Sequence, residues 1–281
     1  MRNEMRRVER LWRGTCRVSR IVIDATRNSP GVCRLATDCE PDWSFQNGAV
    51  HVMVRRLPTT GEAVRAASAL LSGVERQRAN RFAFDRDRHR FIVARALLRR
   101  LLGARLGTRP EAVELVYGPH GKPALAPRHA PADLRFNLSH SEDLAAYAFA
   151  HGREIGVDVE AVRSMCDADA IAARFFSARE NQTYLSLDSR DRPRGFFHCW
   201  TRKEAFIKAL GDGLAFPLDG FAVSLGNDGS SQLLRACSSA PDALQHWRVV
   251  SLPTEAGYVA AVAARAGDWR VVRWNATTRD V

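Results

Sequence analysis

The segment EIGVDVE, residues 154–160, sets Asp158 and Glu160 two apart in a run whose Gly156, Val157 and Val159 suit a buried strand. Residues two apart on a strand point to the same face. Val157 and Val159 therefore face a core, and the two carboxylates share the opposite face. Adjacent like charges repel unless positive charge lies between them. A chain built around this strand must bring cations to that face from elsewhere in its length.

Cations are plentiful but of one kind. Of 42 basic residues only Lys122, Lys203 and Lys208 are lysines, and the other 39 are arginines. An ammonium is compact and strongly hydrated, whereas a guanidinium is planar. In a composition that favours arginine so heavily, the three lysines mark candidate positions that need an ammonium. The formal net charge is +11, and residues 48–155 hold 18 basic against 10 acidic side chains. Arg76 to Arg100 alone contains nine arginines, with only Asp85 and Asp87 to oppose them. That balance suits an anionic ligand or partner. The six cysteines form no C-x-x-C pair and have no His cluster beside them, so we expect reduced thiols without zinc. No apolar run reaches the length of a membrane helix or of a secretory signal. The expected setting is cytoplasmic, with no membrane partner.

Hydrophobic periodicity divides the chain. Residues 1–46 lack it and are expected to form a disordered basic extension. An N-terminal lobe is expected over 47–155 and a C-terminal lobe over 156–281. In the first, the pattern predicts a strand at 49–54, one helix over 61–82 and a longer helix over 88–107 ending at Gly107. A strand at 113–118, a turn-rich loop at 118–125 and strands at 134–139 and 144–150 follow, the last two joined by a loop, SHSED. In the second, helices are expected at 167–176, from Ser177 and over 194–210, with strands at 220–225, 246–252, 257–264 and 269–274. Ser177 and Glu180 stand at capping-box spacing. The expected class is α+β: two similar lobes, each with helices packed on a small antiparallel sheet, in a pseudo-twofold arrangement.

The stretch WTRKEAFIKAL supplies the missing cation. Glu204 and Lys208 are four apart and share one helix face, with Trp200 a turn before them. Taken alone the pair is an ordinary surface ion pair, worth about 0.3–0.5 kcal/mol. Taken with Asp158 and Glu160 it becomes a set of three carboxylates and one ammonium. Hard carboxylate oxygens without His or Cys suit Mg²⁺, which commonly shares its shell with phosphates.

GVDVE (156–160) and WTRKEAFIK (200–208) resemble the two acid motifs of the 4′-phosphopantetheinyl transferases, specifically the longer two-lobed type. RFAFDRDRHRFIVARALLR (81–99), GKP (121–123), FNLSHS (136–141), RFFSARE (174–180) and GLAFPLDGF (213–221) occur in the family's order. The resemblance implies an enzyme that moves 4′-phosphopantetheine from coenzyme A to a serine of an apo acyl or peptidyl carrier protein, releasing adenosine 3′,5′-bisphosphate. It implies Mg²⁺ on Asp158, Glu160 and Glu204, with Asp158, Glu204 and Lys208 catalytic and Lys208 also touching phosphates. Ser139 and His140 match the stretch that contacts coenzyme A phosphates. Arg78 and Arg90 match basic residues on the 3′-phosphate side, and Lys122 and Pro123 match the GKP stretch near the adenine. Glu75 stands where the family has a further basic residue. The implied carrier is acidic and the enzyme a monomer. A metal-dependent nuclease and a non-catalytic coenzyme A binding protein are the alternatives. No nucleic-acid-binding motif supports the first, so no nucleic-acid partner is expected. The complete set of acids with Lys208 argues against the second.

Overall fold

The computed structural model describes residues 48–211, 216–226, 231–233, 235–236, 247–265, 267 and 269–274. The proposed extension over 1–46 lies outside them. The first half runs β1 (Ala49–Arg56), α1 (Gly61–Ala69), α2 (Gly73–Ala79), α3 (Asp85–Leu106), β2 (Leu115–Tyr117), β3 (Pro123–Leu125), β4 (Leu134–Ser141) and β5 (Leu144–His151). β6 (Ile155–Ala161), α4 (Ala168–Phe175), α5 (Ala178–Ser186) and α6 (Arg192–Leu210) follow. Among the described residues a 3-10 turn at Leu218–Gly220 and six strands follow: β7 (Phe221–Ala222), β8 (Ser231–Leu233), β9 (Arg235–Ala236), β10 (Trp247–Leu252), β11 (Tyr258–Arg265) and β12 (Arg270–Trp274).

The single helix expected over 61–82 is two. Ser72 accepts from the Glu75 amide, and the Glu75 carboxylate accepts from the Ser72 amide, so a capping box restarts the helix there. The same device at Ser177 and Glu180 starts α5 as the spacing predicts. Gly107 and Gly211 end α3 and α6 in left-handed geometry, at φ 63° and 88°. The loop expected over 118–125 contains β3, which pairs with β2. The SHSED loop shrinks to a tight turn at Glu142 and Asp143, because β4 continues through Ser141 and pairs it with Leu144.

The class is α+β, as expected. Two four-stranded sheets carry it, ordered β12-β1-β5-β4 and β6-β11-β10-β8. One pairing departs from the antiparallel expectation: β12 runs parallel to β1, from Ala49 opposite Arg270 to Met53 opposite Trp274. The last described strand thus joins the sheet of the first half.

Alternation along the strands decides the layers. Val50 and Val52 of β1, Ala146 and Ala148 of β5, Val157 and Val159 of β6, and Ala260 and Val262 of β11 form one buried cluster shared by the two sheets. The opposite faces are covered by helices. Met53, Tyr147 and Phe149 pack with Phe91, Leu98 and Leu102 of α3. Val259, Ala261 and Ala263 pack with Phe197 and Phe206 of α6. Among the described residues no helix is long and apolar enough to cross a membrane.

Candidate active site

The face of β6 that carries the carboxylates is covered by α6, and Gly156 permits the contact. A Cβ on Gly156 would collide with the Ala205 carbonyl oxygen and the Ala209 nitrogen. With only hydrogen at that position, the helix settles directly on the strand. Asp158 and Glu160 lie further along the same face, and Glu204 and Lys208 lie on the same helix. Asp158 is fully buried and Glu204 is 3% exposed, so the exposed-pair reading of Glu204 and Lys208 does not hold.

The Lys208 ammonium donates to Asp158 Oδ1 at 2.5 Å and to Ser139 Oγ at 3.1 Å. The Ser139 hydroxyl donates to the same Asp158 oxygen at 2.7 Å. Two residues along β4, the Ser141 hydroxyl donates to Glu160 Oε2 at 2.6 Å. Two residues back, Asn137 Oδ1 accepts from the Val157 amide at 2.9 Å. Asn137, Ser139 and Ser141 share one face of β4 and form a polar seam against β6. Arg163 approaches Glu160 Oε2 at 3.6 Å.

Burial raises the pKa of Asp158, Glu160 and Glu204 above the ordinary carboxylate range. Their mutual repulsion raises Glu160 and Glu204 further, while Lys208 opposes the rise in all three. For Lys208, burial favours the neutral amine, but the charges of Asp158, Glu204 and Glu160 outweigh it and the pKa is raised. Asp158 Oδ2 and Glu204 Oε1 are buried without a hydrogen-bond partner. Buried oxygens of this kind are costly unless something positive meets them. The donor set, all hard carboxylate oxygens, fits Mg²⁺ in kind. Among the described residues, however, no three His, Cys, Asp or Glu side chains are gathered into a ready-made metal cluster.

The remaining site residues divide by strand face and by partner. His140 sits on β4 between Ser139 and Ser141 and so points to the α3 side. Burial, with the charges of Lys208, Arg90 and Arg95, lowers its pKa to about 4. Arg90 is buried and donates to Asp143 Oδ1 at 2.9 Å and to Asp87 Oδ1 at 3.0 Å. Arg78 is exposed and lies over the Phe91 ring, with Arg95 over the same ring. Glu75, where the family has a basic residue, faces inward. It pairs with Arg99 at 2.6 Å and lies 3.6 Å from Arg95. Pro123 is buried at the start of β3. Lys122 is held by other partners: its ammonium donates to Ala209 O, Ile155 O and Glu154 Oε2. Lys203, the third lysine, is fully buried and reaches Glu180 Oε2 at 2.7 Å and the Leu218 and Phe221 carbonyls at 2.6 and 2.7 Å.

Ser141, Asn137 and Arg163 were missed as site residues. The signal for the first two was N-x-S-x-S over 137–141, a polar alternation that becomes meaningful once β4 is extended through Ser141.

A profile described as 4′-phosphopantetheinyl transferase superfamily matches residues 154–263, and one described as 4′-phosphopantetheinyl transferase, N-terminal, matches 57–151. The chain is 36% identical over 235 residues to the 4′-phosphopantetheinyl transferase HetI of Nostoc sp., covering 84% of this chain and 95% of that protein. It is 30% identical over 212 residues to the 4′-phosphopantetheinyl transferase Sfp of Bacillus subtilis, covering 75% of this chain and 90% of that one. A holo-[acyl-carrier-protein] synthase structure from Thermotoga maritima aligns with a TM-score of 0.32 at 20% identity, over 40% of this chain and 62% of that one. That likeness is too small to carry an argument.

Proposed function

The chain belongs to the 4′-phosphopantetheinyl transferase superfamily, and we propose that it moves the phosphopantetheine of coenzyme A onto a serine of an apo carrier protein using Asp158, Glu160, Glu204 and Lys208. The observation that carries this reading is the buried junction of β6 and α6, where the Lys208 ammonium donates to Asp158 and feels the charges of Glu204 and Glu160, and one oxygen each of Asp158 and Glu204 lacks a partner. In the transfer, the serine oxygen bonds to the phosphorus next to pantetheine, and the bond from that phosphorus to the adenosine-bisphosphate oxygen breaks.

Each side chain has a role that its surroundings support. Burial raises the affinity of Glu204 for protons, so its carboxylate suits taking the proton that the serine loses. Lys208 remains an ammonium and offers its charge to the leaving phosphate oxygen. Ser139 and Ser141 fix the rotamers of Asp158 and Glu160. His140 and Arg78 supply polar contacts on the α3 side for the nucleotide phosphates, and Arg90, held by Asp87 and Asp143, adds positive charge there. Mg²⁺, held by Asp158, Glu160 and Glu204, would neutralise charge on the diphosphate when bound. The basic balance of residues 48–155 suits an acidic carrier surface, and the enzyme acts as a monomer.

The test is to mix the protein with coenzyme A, Mg²⁺ and a panel of apo carrier domains and to weigh the carriers. A carrier heavier by one phosphopantetheine is the expected result. Coenzyme A binding without transfer to any carrier, or cleavage of added DNA, would replace this reading.

A further inference from the structure

Lys122 sits where the family resemblance places a contact for coenzyme A, yet its ammonium is committed elsewhere. We propose that Lys122 is a positioning residue, one that ties the end of α6 and the start of β6 to the β2–β3 hairpin and so holds Glu204 and Lys208 in register with Asp158 and Glu160. This inference rests on the transferase reading only for its kinetic consequences.

An ammonium has three protons to donate and nothing to accept. Lys122 Nζ finds three acceptors: Ala209 O at 2.8 Å, Ile155 O at 3.2 Å and Glu154 Oε2 at 3.2 Å. No proton remains for a phosphate oxygen. The acceptors are well chosen. Ala209 lies in the last turn of α6, where carbonyls lack partners within the helix and where positive charge is favoured. Ile155 opens β6, one residue before the Gly156 on which α6 rests. A single ammonium therefore pins both elements that carry the reactive groups, at the point where they touch.

The hairpin is closed by its own backbone bonds. The Gly118 amide donates to the Lys122 carbonyl at 3.0 Å, and Val116 pairs with Ala124. The Lys122 stem passes Gly211, with Cδ 3.6 Å from where a Cβ would stand. The helix end is thus held from its left-handed cap inward. Three acceptors converging on one nitrogen suit an ammonium and not a planar guanidinium. That accounts for a lysine here in a chain with 39 arginines.

The test compares wild type with Lys122→Met and Glu154→Gln. For K122M we expect kcat to fall by about ten- to hundredfold, because a small misplacement of reacting groups is costly. The KM for coenzyme A should stay within about twofold, since no ground-state contact is lost. E154Q keeps an acceptor but loses the charge, and a smaller fall in kcat is expected. Amide hydrogen exchange without any substrate should quicken at residues 207–211 and 155–157 in K122M. A rise of about tenfold or more in the KM for coenzyme A with kcat intact would make Lys122 a phosphate ligand and overturn the inference. Unchanged exchange at both segments would overturn it equally. Should K122M not fold, a lowered KM for coenzyme A in E154Q would overturn it, because freeing the ammonium would then improve binding. The exchange readout stands even if wild type transfers nothing, so failure of the transferase reading is separable from failure of this one.

Discussion

At the scale of single residues, environment decides which polar groups react. Glu204 and Glu180 are both buried glutamates, but Glu180 is saturated. It accepts from Lys203, from the Ser177 amide and from the Val223 amide. Glu204 keeps an unpartnered oxygen. Glu204→Gln preserves shape and removes the proposed base, so it should lower kcat by about 10²–10⁴-fold with the fold intact, measured by carrier mass and by circular dichroism. Lys203→Met strands the Glu180 carboxylate in the core and should cost about 3–5 kcal/mol of stability in denaturant titrations. The double variant with Glu180→Gln should recover part of that loss. His140 gives a pH dependence of known sign. Its folded pKa of about 4 lies below the ordinary 6.5, so the unfolded chain takes up the proton first. The stability contributed by neutral His140 is present above about 6.5 and is lost as pH falls toward 4. The difference in Tm between wild type and His140→Gln should change across that window and be flat above it.

At the scale of elements, the site is a strand and a helix in direct contact. Gly156 allows the approach, and β4 supplies the seam that orients the acids. Gly156→Ala must push α6 off β6, and overpacking of this kind costs about 1–3 kcal/mol. Because α6 carries Glu204 and Lys208, we expect transfer to be lost as well, even where the variant remains folded by circular dichroism. The capping boxes show how local sequence sets boundaries. Ser177 with Glu180 was readable before the structure. Ser72 with Glu75 has identical spacing, but it lies inside an apolar pattern that continues on both sides and so reads as one helix. Likewise SHS was read as loop because Ser and His are polar. In the structure the two serines are inside, paired with β6, where polarity is satisfied rather than solvated, and His140 between them turns to the α3 side.

At the scale of the whole molecule, two sheets share one buried cluster, and β12 returns from the second half to pair with β1 in the first. The Trp274 indole donates to His51 Nδ1 at 2.8 Å and stacks on Phe149 at 5.6 Å. Trp274→Ala should destabilise the protein by about 3 kcal/mol in chemical denaturation. Because the cluster joins both halves, wild type and variant should each unfold in a single calorimetric transition. Sequence alone determined the α+β class, most element positions and the family, and it singled out three carboxylates and a lysine as candidates. These follow from periodicity, capping and residue chemistry, all of which are local. It did not determine the parallel pairing of β12, the seam from Asn137 to Ser141, or the fates of the three lysines. One of these meets Asp158, one neutralises a buried glutamate and one caps a helix end. Those outcomes depend on which distant acceptors the fold brings within hydrogen-bond reach, and spacing along a chain carries no record of that.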